Sequence, residues 1–217
     1  MKLEQIKQNM ITMGNLVQNS LDKAVISLVE RNSNGFQEVH QIEKKINEWH
    51  VKLDDECLSF LAMQSPVAKD LRLIFSIIKI NADLERMGDQ AVNIAYTGKD
   101  YLSRTPIAWP KEIAEMSLIA QKMLKDSLES FVTEDNDLAQ KVLVLDNEVD
   151  QRKNTVFKNL MMDVQKKSDN VEAAFDIILI ARNLERIGDH ATNIAEDVIF
   201  ITTGKDIRHG GKYSNVT

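Results

Sequence analysis

Cysteine is almost absent. Cys57 stands alone in 217 residues, so no disulfide framework can form. It falls within an apolar helical pattern and reads as a buried, inert thiol. Prolines number three and glycines eight, and aromatics are few, against a background rich in Leu, Ile, Ala, Glu, Lys and Met. That is the make-up of an all-helical protein. Long apolar runs are missing too: Ile177-Ile178-Leu179-Ile180-Ala181 falls far short of the ~20 residues that cross a membrane. The N-terminal Met1-Lys2-Leu3-Glu4-Gln5 carries no apolar signal segment, so a cytoplasmic location is expected. The net charge of −6, with Lys and Arg scattered and not interleaved with aromatics, excludes general affinity for nucleic acid or anionic lipid. No phosphate-cradling Gly-rich loop, nucleophile elbow or Cys/His pair occurs. The lack of a Cys/His cluster rules out a finger-type zinc site.

What the chain does have is a doubled motif. Leu84-Glu85-Arg86-Met87-Gly88-Asp89-Gln90-Ala91-Val92-Asn93-Ile94-Ala95 returns a hundred residues later as Leu184-Glu185-Arg186-Ile187-Gly188-Asp189-His190-Ala191-Thr192-Asn193-Ile194-Ala195, with nine of twelve positions identical. The chain is built twice. The first repeat is assigned to residues 1–103 and the second to residues 104–217, and an apolar fraction of 43% is enough to give them a buried core.

Three- and four-residue apolar spacing predicts a first helix over about 3–30 and a second ending near Met63, with Leu58 on its apolar side. Ser65-Pro66 reads as a helix start, with Ser as N-cap and Pro in the first helical position. The third helix then runs through Leu71 to about Ala95 or beyond. Thr97-Gly98-Lys99-Asp100 to Trp109-Pro110 reads as the linker, its exit matching Thr203-Gly204-Lys205-Asp206 at the end of the second repeat. A fourth helix carries Met116 and Leu118. Thr133-Glu134-Asp135-Asn136 caps a fifth, and Ser168-Asp169-Asn170 opens a sixth. Short connections favour two tandem antiparallel three-helix bundles, six long helices in all. The nine methionines sit in apolar stripes and read as core.

Glu85 with Asp89, and Glu185 with Asp189, stand four apart, one above the other on a helix face. Like charges so placed cost roughly 0.2–0.5 kcal/mol, and two such pairs point to a nearby cation. Beside them run Leu84, Gly88, Ala91, Ala95 and their counterparts, mostly small. Gly in a helix costs about 0.8–1.0 kcal/mol relative to Ala, so another backbone is expected to approach closely there. Asn93 and Asn193 follow one turn on as possible further oxygen donors. The preceding helices supply a second row: Asp146 with Asp150, and Glu43 with Asn47, where the second acid is lost. Facing carboxylate rows protonate or recruit cations. All-oxygen donors suit iron(III), manganese, magnesium or calcium, and tolerate zinc. The competing account is intrahelical pairing of Arg86 with Asp89, Arg182 with Glu185 and Arg186 with Asp189, with no metal. His190 replaces Gln90 and reads as peripheral. His40, His50 and His209 lack ligand spacing and read as surface groups.

The doubled Leu-Glu-Arg-x-Gly-Asp with Asn-Ile-Ala resembles the PhoU family. Ser65-Pro66-Val67-Ala68-Lys69-Asp70-Leu71-Arg72 and Gly204-Lys205-Asp206-Ile207-Arg208-His209 resemble its third-helix start and its ending, so the likeness covers essentially the whole chain. The resemblance implies two three-helix bundles and acidic motifs that bind multinuclear iron or zinc in some members. On this sequence those motifs are Glu85/Asp89, Glu185/Asp189, Asp146/Asp150 and Glu43, with Asn47 departing from the pattern. It also implies a homodimeric, non-enzymatic negative regulator of the phosphate-starvation response that modulates phosphate uptake. Such a regulator contacts the ATP-binding subunit of the phosphate ABC transporter and a membrane sensor histidine kinase. Two alternatives are a di-metal carboxylate enzyme and a metal-free helical scaffold. Ferritin-like di-iron sites need Glu-x-x-His, which Glu38-Val39-His40 and Glu48-Trp49-His50 miss by one residue.

Overall fold

The computed structural model describes residues 3–105, 107–166 and 171–208. Six α-helices follow in order: α1 Leu3–Val29, α2 Gly35–Gln64, α3 Ala68–Ser103, α4 Lys111–Thr133, α5 Asn136–Lys166 and α6 Val171–Thr203. In α1, Ile6, Met10, Met13, Val17, Leu21, Ala24 and Leu28 are buried, the stripe that the spacing predicts.

The helix ends differ from expectation in two places. Ser65 is not an N-cap: it closes α2 in the left-handed region (φ 44), and extended Val67 is the residue before α3. Pro66 therefore lies in the connection, where it disfavours helical backbone at Ser65. The linker is shorter than read. Residues 97–103 continue α3, and Gly98 is buried inside it against Leu28 and Phe36, so the two Thr-Gly exits are not equivalent. Gly204, by contrast, ends α6 at φ +72. The true connection, 104–110, is tied down where the Tyr101 hydroxyl donates to the Ile107 carbonyl (3.3 Å) and the Tyr101 and Trp109 rings lie 5.2 Å apart. Between α4 and α5, Asp135 is the cap, its Oδ1 accepting from the Leu138 N–H at 2.9 Å. The Ser168-Asp169-Asn170 start lies outside the described residues.

Helices α1, α2 and α3 pack on one another, as do α4, α5 and α6, giving the two bundles. The most extensive contact of all joins the bundles: α3 lies along α6, with α1 on α4 beside it. Lys79 pairs with Asp197, Asp83 with Asn193, and Arg104 with Asp176, so α3 and α6 run antiparallel. Each is the other's equivalent in the repeat, as α1 is of α4. The bundles thus meet through one surface used twice, the two-fold logic of a symmetric dimer within one chain. Burying both faces merges the apolar sides of all six helices into one core.

Some apolar residues fall outside that core. Leu58, Leu71 and Leu118, read as inward-facing, are exposed, as are Met63, Met161 and Met162. Cys57 is fully buried, and burial, with Asp54 and Glu56 nearby, pushes its thiol up to about 12.

Candidate metal and contact site on the carboxylate strips

In the second repeat α6 carries Glu185 and Asp189 along its flank, and α5 carries Asp146 and Asp150 beside them. The rows do meet. Asp146 Oδ1 lies 3.5 Å from where a Cβ on Gly188 would stand, so this carboxylate rests against the α6 backbone. The helix glycines are not there for a second backbone, as the spacing had led one to expect. Gly188 faces Asp146 and Met123, and Gly88 faces the Ile46 side chain at 3.1 Å. Crowding shows in the acidities. Asp189 is pushed up to about 6, first by desolvation and then by Glu185, Asp146 and Asp150. Asp146 is raised by desolvation, Asp150 and Glu185, with Lys153 opposing.

Lys153 is the residue that pattern reading missed. Its ammonium donates to Glu185 Oε1 at 2.7 Å and to Asp150 Oδ1 at 2.9 Å, bridging α5 and α6. These two bonds raise its pKa against the desolvation that would lower it. A signal existed: Lys153 is three residues after Asp150 and seven after Asp146, on the same helix face. The intrahelical arginine pairs of the competing account do not form. Among the described residues Arg86, Arg182 and Arg186 make no ion pair with these carboxylates, and the cation comes from the neighbouring helix.

The first repeat is arranged differently. Glu85 and Asp89 on α3 approach Glu43 on α2. Glu85 is raised by desolvation and Asp89, with Glu43 adding a little, and Asp89 by desolvation and Glu43. Asn47 turns its amide to Glu43 along its own helix. His50, half-buried and not simply a surface group, is close enough to Glu85 to favour its charged form. Its Nε2 lies 3.7 Å from Asp54, and Asn81 donates to Asp54 and to the His50 carbonyl, each at 2.9 Å. His40 packs against Tyr96 with ring centroids 4.4 Å apart and planes tilted by 51°, and His209 lies outside the described residues.

The asparagines part company with the strips. Asn93 is exposed, while Asn193 gives its amide to Asp83 Oδ1 on α3 at 3.0 Å. The same oxygen takes His190 Nδ1 at 2.8 Å. His190 is marginal to the acidic motif yet buried at the centre of the join.

A family profile described as "PhoU domain" matches residues 10–97 and again 113–198. The chain belongs to the PhoU family. A relative from Pseudomonas putida, named "Phosphate-specific transport system accessory protein PhoU homolog", is 35% identical over 212 residues, covering 97% of this chain and 82% of that one. The crystal structure of PhoU from Pseudomonas aeruginosa superposes with TM-score 0.90 at 36% identity, over 93% of this chain and 97% of the other. That of "the phosphate transport system regulatory protein PhoU" from Streptococcus pneumoniae gives 0.87 at 25%, over 94% and 96%. The six-helix double bundle is thus the PhoU fold.

Against that fold, the donor set of the strips suits a hard cation: all oxygen, anionic, and supplied by two helices in each repeat. Among the described residues, no three His, Cys, Asp or Glu side chains converge tightly enough in these rotamers to hold an ion. Loading a strip therefore requires rotation of its carboxylates, and in the second repeat a shift of Lys153.

Proposed function

We propose that this chain is a non-enzymatic, homodimeric, cytoplasmic negative regulator of the phosphate-starvation response that also modulates phosphate uptake. It acts by contact with the ATP-binding subunit of the phosphate transporter and with a membrane sensor histidine kinase. Metal ions, iron or zinc in multinuclear form or other divalent cations, are held by Glu85, Asp89 and Glu43 in the first repeat and by Glu185, Asp189, Asp146 and Asp150 in the second. The observation that carries this reading is the match, over 97% of this chain, to a relative named as an accessory protein of phosphate-specific transport. Support for action by protein contact comes from apolar side chains left in solvent at corresponding places: Leu58, Leu71 and Phe75 in the first repeat, Met161, Val171 and Phe175 in the second. Among the described residues no helix is long and apolar enough to cross a membrane, which suits an accessory partner of membrane proteins.

Deleting the gene should derepress phosphatase expression in high phosphate. Continued repression, with no second copy to cover the loss, would sink the regulatory reading. Pull-downs with the transporter ATPase and the kinase test the partners. Elemental analysis of protein purified without chelator tests the metal. Glu185→Gln with Asp189→Asn should lower metal content with helicity intact, and unchanged content refutes the ligand assignment.

A metal-free scaffold is the second reading, and Lys153 is what favours it, because its ammonium already neutralises part of the second strip.

A further inference from the structure

The two strips are equivalent by repeat but not by charge. Aligning Glu43 with Asp146 and Asn47 with Asp150 places His50 where the second repeat has Lys153. In the first repeat, among the described residues, neither Glu85 nor Asp89 makes an ion pair, and His50 Nε2 stands 3.7 Å from Asp54. In the second, the Lys153 ammonium sits between Glu185 and Asp150 at 2.7 and 2.9 Å, with Asp146 and Asp189 completing the cluster. Its side chain is 29% exposed and Glu185's is 19%, so the pair is partly withdrawn from water and weakly screened.

We infer that Lys153 is a tethered counter-cation that fills the second strip and competes with any metal for it, so that the two strips load at different metal concentrations. This rests on the metal reading above. A metal entering the second strip must wait for the ammonium to leave, and apparent affinity falls by the fraction of time the strip is open. An ammonium seated nine-tenths of the time lowers it about tenfold. Among the described residues no lysine or arginine pairs with Glu85 or Asp89 in the first strip. It has lost one carboxylate at Asn47 instead, so each repeat gives up part of its charge for cations by a different route.

The test is manganese(II) titration of the full chain in chelator-treated buffer, with Glu85→Gln and Asp89→Asn present throughout to silence the first strip. Lys153→Met and Lys153→Gln remove the charge; the glutamine variant keeps a hydrogen-bond donor and covers the case in which the apolar replacement does not fold. Melting curves verify the fold of each. Both variants should bind manganese about tenfold more tightly or better, and Asp189→Asn should abolish the gain. Lys153→Arg, which retains the charge, should stay at the parent's affinity. Parent-like affinity in the neutral variants overturns the role of Lys153 but leaves the metal reading standing. No manganese on the parent or on any variant overturns the inference, and the same result with the first strip restored overturns the metal reading as well.

Discussion

The imidazole of His190 and the carboxylate of Asp83 meet at 2.8 Å across the join between the repeats, with the side chain of His190 only 8% exposed and that of Asp83 13%. The corresponding residues on the other side of the internal two-fold are Gln90 and Asn183. Asn183 turns its amide back to the Leu179 carbonyl of its own helix, and Gln90 Oε1 is buried without a partner. One half of a symmetric surface thus carries a polar contact between bundles that the other half lacks.

Asp83→Ala should leave His190 Nδ1 and the Asn193 amide without their shared acceptor. The expected loss is about 1–3 kcal/mol of unfolding free energy in urea, the cost of stranding buried polar groups. His190→Gln, which copies the first repeat, should cost less. A loss below about 0.5 kcal/mol for Asp83→Ala would show that water replaces the contact freely.

Lys79 and Asp197 make the sharper case. Asp197 is almost wholly buried, and burial raises its pKa while Lys79 holds it down. Lys79→Met should cost roughly 3–5 kcal/mol by leaving a buried carboxylate without its cation. Lys79→Met combined with Asp197→Leu should recover most of that loss in the same urea experiment. A double variant no better than the single would mean that the apolar replacements pack badly.

The glycines separate cleanly. A Cβ at Gly98 would stand 2.5 Å from Leu28 Cδ2 and 2.9 Å from Phe36 Cζ, two buried side chains with little room to yield. Gly98→Ala should destabilise by about 1–3 kcal/mol, as overpacking does. At Gly188 the nearest atoms are at 3.5 Å, ordinary contact, so Gly188→Ala should stabilise by about 0.5–1 kcal/mol through helix propensity. Equal effects at the two sites in thermal melts would contradict this.

Asp189 gives a pH signature in metal-free protein. Its folded pKa is about 6 against a usual value of 3.8, so between those values the folded state holds the proton that the unfolded state releases. The carboxylate therefore destabilises at pH 7, and the penalty fades as pH falls through 6 towards 4. Asp189→Asn should raise Tm at pH 7.5 by no more than about 2–4 °C, because its exposed side is screened by solvent. The gain should vanish near pH 4. A gain that persists at pH 4 would point to a cause other than charge.

Six helices, two repeats and the two acidic pairs on α3 and α6 follow from the order of residues alone. These are local matters: apolar spacing of three and four sets a helix and its face, and identity at a hundred-residue offset sets the duplication. Asp146 and Asp150 were legible for the same reason. What meets those rows is set by packing between helices. That α3 lies on α6 depends on how two bundles bury their remaining apolar faces, which no local pattern encodes. So His190, read as marginal, became the centre of the join, and Asn193 turned to Asp83 and away from the acids. Lys153 and His50 carry no motif of their own, and their roles come from the antiparallel packing that sets each opposite a glutamate on the next helix. Spacing along one helix fixes which charges share a face; only the partner helix decides which of them are neutralised.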